Sequence, residues 1–309
     1  MLSKKFEDIS KEWLISKKTS LKLLSYEKYE KVLSKHLSYF YDWNIEDITS
    51  NDVDQFFYDK ENKDKLSNSI LYTIRHVLRS VFVYAQDKYH FQTISMKNIK
   101  VDEKKSIQIL TQEEMDVFHQ YLNENKDAVS FAILLSLYTG MRTGEICALK
   151  KEDIDLTYNV IHITKSVERI KTDNNVNSKL TLLEPRNKKS SRDIPISYFV
   201  KEYLVDYFDS YPMESQCFIL SKSNNIYDTR LIQKKLQELC IRLNIKTDFN
   251  TLRNTFISYC LANNMNIKCL CEIIGTMDFR NIYDLCPNCS LDKKKQEIDK
   301  IFVNKKLNT

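Results

Sequence analysis

Three glycines occur among 309 residues, and their placement constrains the fold more than any other feature of the chain. Ordinary usage near 7% would supply about twenty. Gly140 and Gly144 frame Arg142 in Thr139-Gly140-Met141-Arg142-Thr143-Gly144-Glu145, and Gly275 follows Arg253 in the C-terminal segment. Glycine is needed where the backbone takes a positive φ or where a second group approaches too closely for a β-carbon. A chain this poor in permissive residues keeps them beside two arginines, which predicts two tight turns that together cradle a phosphate. An AT-rich coding bias, visible in the abundant Lys, Asn, Ile and Tyr, explains the scarcity of glycine but not its position. The first hundred residues contain neither Gly nor Pro, which favours helices joined by polar turns.

Periodicity fills in those helices. Tyr26, Tyr29, Leu33, Leu37 and Phe40 recur at spacings of three and four, as do Ile70, Ile74, Leu78, Val81 and Ala85, with Ser67 placed to cap the second run. Asp42–Asp54 is broken by charges and reads as a connector plus a short helix. A bundle of four or five helices with lysine-studded polar faces is expected over residues 1–92. Residues 93–106, polar and lysine-rich, lack helical period and read as a linker. A second domain then spans 107–309, opening on the capping box Thr111-Gln112-Glu113-Glu114. Ala128–Tyr138 is almost wholly apolar and predicts a buried central helix.

Beyond Arg142 the period shortens. Val160-Ile161-His162-Ile163 and Asp193-Ile194-Pro195-Ile196 read as strands flanking a long basic hairpin that carries Lys165, Arg169, Lys171, Lys179, Arg186, Lys188, Lys189 and Arg192. Leu231–Leu243, Leu252–Asn263 and Ile267–Ile274 read as helices, and Leu291–Val303 as a last amphipathic one with Ile298, Ile301 and Phe302 on its apolar stripe. The fold class is therefore mainly α with a small antiparallel β-sheet. No apolar run approaches the roughly 20 residues of a membrane span, and Met1–Asp8 has no apolar signal core. Eight cysteines without such a signal predict reduced thiols in a cytoplasmic protein. The surplus of 47 Lys+Arg over 42 Asp+Glu is mild, so the distribution of charge rather than its total must identify a partner.

Arg142 and Arg253 are the chemistry-bearing pair. Each guanidinium can give two parallel N–H bonds to a phosphate, and neither can lose its charge near neutral pH. The segments that hold them resemble the tyrosine recombinases, or phage-type integrases, of conjugative transposons and phages of low-GC Gram-positive bacteria. Leu135–Leu149 with Lys151-Glu152-Asp153-Ile154-Asp155 is similar to that family's first box, and Pro185–Pro195 to its hairpin strand. Asn250–Phe256 resembles its second box, Ile273-Ile274-Gly275 and the Tyr283 region its last, and the N-terminal helices its core-binding domain. The resemblance implies that a tyrosine attacks a DNA phosphodiester, leaving a 3′-phosphotyrosine that a second strand's 5′-hydroxyl resolves, with no cofactor. It also implies arginines stabilising phosphoryl charge, with a hairpin lysine and histidines moving protons.

The chain departs from that pattern at defined positions. Asn250 stands where His-x-x-Arg is usual, Thr276 follows Gly275 where Gly-His is usual, and Arg186 takes the place of the hairpin lysine. All five histidines lie at or before His162. Asn250 and Thr276 can hydrogen-bond a phosphate but do not transfer protons well at neutral pH. Lys188 or Lys189 can substitute for Arg186 if the hairpin register slips. Tyr283 is the last tyrosine and the candidate nucleophile, about two residues closer to Gly275 than the family pattern.

Double-stranded DNA is the expected partner. Lys165, Lys188, Lys189 and Arg192 on the hairpin, with Lys17, Lys18, Lys22 and Lys28 near the N-terminus, form two walls of a clamp. The resemblance also implies self-association on DNA, with the Leu291–Val303 helix docking on a neighbour. Cys269, Cys271, Cys286 and Cys289 are a weak zinc candidate, because Cys269 and Cys271 point to different faces of one helix. Three readings stand: an integrase, a catalytically weakened DNA-binding relative, and a zinc-stabilised interaction protein.

Overall fold

The computed structural model describes residues 4–21, 23–92, 94, 107–171, 178–184, 190–276, 282 and 295. The chain separates into two compact units, Met1–Lys105 and Ser106–Thr309. Lys22, Arg186, Lys188, Lys189, Tyr283, Cys286 and Cys289 lie outside the described residues, as does nearly all of the helix expected over Leu291–Val303.

The first unit packs α1 (Phe6–Ser16), α2 (Leu23–Lys35), α3 (Ser50–Asn62) and α4 (Asn68–Tyr89) around Phe6, Trp13, Phe40, Phe56, Ile74 and Val81, all almost fully buried. The run ending at Phe40 is not one helix: α2 stops at Lys35 and a 3-10 turn covers Leu37–Phe40. The Asp42–Asp54 segment holds a 3-10 turn at Ile45–Asp47 and the start of α3. Thr49 opens α3 with a reciprocal capping box to Asp52. Ser67 occupies the N-cap of α4, but its side chain makes no capping bond. Phe91 and Ile94 pack on this core, so the unit continues past residue 92 into what reads as linker.

The second unit is built on α6 (Ala128–Thr139), where nearly every residue is buried. Asp127 caps it by accepting from the Val129 and Ser130 amides at 2.9 and 2.8 Å. Around it lie α5 (Gln112–Glu124), with the expected Thr111–Glu114 capping box, α7 (Thr143–Ala148), α8 (Tyr198–Ser210), α9 (Thr229–Leu243), α10 (Phe249–Ala262) and α11 (Ile267–Ile274). The sheet is antiparallel, ordered β1 (Ile154–Asp155), β2 (Val160–Ile163), β5 (Arg192–Pro195), with Ile163 opposite Arg192. The basic hairpin is a separate two-stranded ribbon, β3 (Ser166–Lys171) and β4 (Ser178–Leu183). Arg169 ties that ribbon to the start of α9 through Asp228 at 2.5 Å. No helix among the described residues is long and apolar enough to cross a membrane.

Candidate active site

Two helix ends and one strand build the site. At the first end, the chain leaves α6 through Gly140, whose φ of +64° is the left-handed conformation that stops helices. A β-carbon there would meet the Phe256 ring at 2.6 Å. Arg142 follows in extended conformation, and α7 begins. The Arg142 amide donates to Glu145 Oε2 at 2.9 Å, and its guanidinium donates to Glu145 Oε1 at 2.9 Å. Gly144 lets the ribbon in: a β-carbon would lie 2.6 Å from Ser166 Oγ and 2.8 Å from the Val167 carbonyl oxygen.

Arg253 comes from α10, which Asp248 caps by accepting from the Thr251 amide at 2.7 Å. Ser136 on α6 donates to the Phe249 carbonyl at 3.1 Å, and Thr255 accepts from the Leu110 amide at 2.9 Å. The first of these buried bonds fixes α10 against α6, and the second ties it to the segment that leads into α5. Arg253 Nη1 then reaches the Gly140 carbonyl, and Nη2 the Ile274 carbonyl at 2.9 Å.

The second helix end is that of α11, closed by Gly275 at φ +66°. Its terminal carbonyls collect three arginines. Arg192 Nε donates to Ile273, Arg253 to Ile274, and Arg142 Nη2 to Gly275 at 3.2 Å. Carbonyls at a helix C-terminus carry partial negative charge, so cations gather there favourably. Arg142 and Arg253, 111 positions apart in the chain, thus meet on neighbouring backbone oxygens.

One carboxylate sits among them. Glu145 is 5% exposed and bonds Arg192 through both oxygens, each at 2.9 Å. Burial alone would raise its pKa, but the hydrogen bonds from Arg192 and the charges of Arg192 and Arg142 hold it below the ordinary glutamate value. Burial, with Arg142 and Arg192 nearby, pushes the Arg253 guanidinium down to about 9. That still leaves it charged at neutral pH. Three guanidiniums against one carboxylate leave two positive charges uncompensated, which suits an anion.

The sequence that builds this site matches a known family. Residues 108–282 fit the model of the phage integrase family, more than half of the chain, and residues 5–61 fit that of the phage integrase N-terminal SAM-like domain. The chain belongs to the phage integrase family. The integrase of Staphylococcus phage L54a is 27% identical over 223 residues, 67% of this chain and 61% of that protein. Tyrosine recombinase XerA of Thermococcus onnurineus is 23% identical, covering 71% of each chain. The match to the phage protein thus spans under two thirds of its length. Among solved structures, the Tn1549 transposon integrase in complex with transposon right end DNA shares the fold at TM-score 0.77 and 18% identity, over 96% of this chain and 99% of that one. XerH recombinase bound to difH substrate does so at TM-score 0.67 and 15% identity, over 97% of both.

Within this integrase-family fold some of the other sequence candidates adjoin the cluster and others do not. Asn250 is exposed in the first turn of α10, three residues before Arg253 and so on the same side of the helix. Thr276 directly follows the α11 terminus, its amide bonded to the Cys271 carbonyl at 3.1 Å. Lys165 is exposed between β2 and β3, next to the Ser166 contact with Gly144. In the first unit Lys18 is exposed and Lys17 half-buried at the end of α1. Arg192 corrects the reading of a DNA-facing side chain: it is 5% exposed, and its donors are taken by Glu145, Ile273 and Ser190. The glycines hold to the reading in part: Gly140 and Gly275 take the expected positive φ, at +64° and +66°. Each of the three glycines makes room for a protein group (Phe256, the β3 backbone or Arg192) rather than for a ligand. Cys269 is exposed and Cys271 buried, on different faces as expected, and no metal-binding cluster occurs among the described residues. Sequence reading missed Glu145 as the hub of the cluster. Its position at i+3 from Arg142 was the available signal.

Proposed function

We propose that this chain is a site-specific DNA recombinase or integrase that cuts and rejoins duplex DNA through a 3′-phosphotyrosine on Tyr283. The observation that carries the proposal is the convergence of Arg142 and Arg253 on the carbonyl end of α11, with net positive charge left over. In this reading the two guanidiniums grip the non-bridging oxygens of the scissile phosphate and stabilise the charge that develops as the tyrosine oxygen attacks. The phenol loses its proton as its oxygen forms the new P–O bond; the P–O bond to the 5′-oxygen breaks, and that oxygen leaves with the electron pair and takes up a proton. Asn250 and Thr276 supply hydrogen bonds to the phosphate, and Arg186 or a neighbouring hairpin lysine stands near the leaving oxygen. Lys165, Lys188 and Lys189, with Lys17, Lys18 and Lys22, contact the DNA backbone and position the duplex. The protein self-associates on its site through the C-terminal helix, and no cofactor takes part.

A second reading is a DNA-binding relative with weakened chemistry. The absence of histidine at Asn250 and Thr276 favours it. One experiment separates the two. A nicked suicide duplex carrying the target junction traps a covalent protein–DNA adduct in the integrase reading, and Tyr283→Phe abolishes it. Intact duplex binding without any adduct would replace the first reading with the second.

A further inference from the structure

Arg192 is the side chain that joins the hairpin strand to both arginine segments. We propose that it is a positioning residue: by occupying both oxygens of Glu145 it prevents that carboxylate from forming a paired bridge with Arg142, and so leaves Arg142 free to hold a phosphate. The inference rests on the strand-transfer reading of the site.

A carboxylate flanked by two guanidiniums can give its paired, two-oxygen geometry to only one of them. Arg192 has it, with Nη1 on Oε1 and Nη2 on Oε2, each at 2.9 Å. The Arg142 guanidinium is restricted to a single Nη1 contact on Oε1 at 2.9 Å, while the Arg142 backbone amide donates to Oε2 at 2.9 Å. Its side chain remains 43% exposed, whereas Arg192 and Glu145 are each 5% exposed. The exposed arginine is thus the one excluded from the full bridge.

Three independent contacts hold Arg192 in that role. Its Nε donates to the Ile273 carbonyl at the end of α11, and its Nη1 also donates to the Ser190 carbonyl at 3.1 Å. Gly275 presses on its flank, where a β-carbon would sit 3.0 Å from Nη1 and 3.2 Å from Cζ. The strand beneath it is fixed by the pairing of Arg192 with Ile163. The fork is therefore set by β5, α11 and the Gly275 turn together. Without Arg192, Glu145 has one strong partner left, and a bridged Arg142 is both turned from the substrate and neutralised.

Crystal structures and suicide-substrate kinetics of Arg192→Met, Arg192→Lys and the double variant Arg192→Met/Glu145→Gln test this. In Arg192→Met, Arg142 should pair with both oxygens of Glu145, and adduct formation should slow about 100-fold, the effect of losing one transition-state donor. Removing the carboxylate charge in the double variant should release Arg142 and restore the rate at least about tenfold over Arg192→Met. A purely structural Arg192 gives no such recovery. The proposal is overturned if Arg142 keeps its single contact in Arg192→Met, or if the double variant is no faster than Arg192→Met. Should Arg192→Met not fold, Arg192→Lys decides, since an ammonium cannot fork: a bridged Arg142 and a slowed rate support the proposal, and a parental rate sinks it. If the parent protein itself forms no adduct, strand transfer fails as the function, and the Arg142–Glu145 geometry in the variant crystals still decides the role of Arg192.

Discussion

Replacing Gly275 with alanine tests how the site is held together, because two separable costs fall on one atom. The backbone there has φ +66°, a conformation that costs an L-residue roughly 1–2 kcal/mol. The added β-carbon would lie 3.0–3.2 Å from Nη1, Cδ and Cζ of Arg192. A free arginine would swing aside at little cost, but this one is anchored to Glu145, Ile273 and Ser190. The contact therefore behaves as overpacking, worth about 1–3 kcal/mol. The sum is roughly 2–5 kcal/mol, which for a unit of this size lowers its Tm by roughly 4–20 °C. Differential scanning calorimetry of the full chain reads this on the transition of the C-terminal unit. Gly275→Asn separates the terms, since asparagine tolerates positive φ but still brings a β-carbon. It should recover about 1 kcal/mol of backbone cost and none of the contact cost. A Gly275→Ala transition within 2 °C of the parent refutes the reasoning outright, at about half of the smallest shift expected. A Gly275→Asn protein as stable as the parent refutes the Arg192 contact alone.

Two further outcomes follow from the charges. Glu145 has a folded pKa below its ordinary value of 4.5, so its contribution to stability is complete above that pH and is lost as pH falls through the lower folded value. Glu145→Gln should flatten the acid limb of a Tm-against-pH curve, and an unchanged limb would assign acid unfolding to other carboxylates. Installing histidine at the two substituted positions, Asn250→His with Thr276→His, should speed adduct formation about tenfold or more and add a pH dependence near 6–7. A rate that does not rise means that proton transfer does not limit this chain.

Much of this architecture was legible in the sequence, and the exceptions have physical reasons. The buried helix α6 announces itself because nearly every residue from Ala128 to Tyr138 is apolar, and Gly140 ends it where expected. The Thr111 capping box is a local pattern and forms as written. Helix α8 does not stand out in the sequence although Tyr203 and Tyr207 lie four residues apart within it, since aromatic residues in a short charged segment fit strand as readily as helix. The ribbon of β3 and β4 was read only as a polar hairpin, because its lysines and serine interrupt the alternation that marks a half-buried strand. The fate of Arg192 was not legible at all. Its partner Glu145 lies 47 residues away, and only the folded register brings the two together.

The glycines and the missing histidines carry one argument when taken together. Each glycine lets protein groups close on one another: Phe256 on Gly140, the β3 backbone on Gly144, Arg192 on Gly275. Close approach here serves the arginine cluster, whose charge does not depend on pH in the physiological range. The five histidines stand elsewhere in the sequence, His162 bonding Asp193 at 2.8 Å across β2 and β5 and His119 stacking on Tyr138. A site built this way can bind a phosphate and stabilise a pentavalent phosphoryl group with fixed charges. It has no histidine among its described residues. In the proposed strand transfer, proton movement then falls to groups other than histidine, and the contribution of the arginine cluster that Glu145 and Arg192 hold is fixed-charge stabilisation of the phosphoryl group.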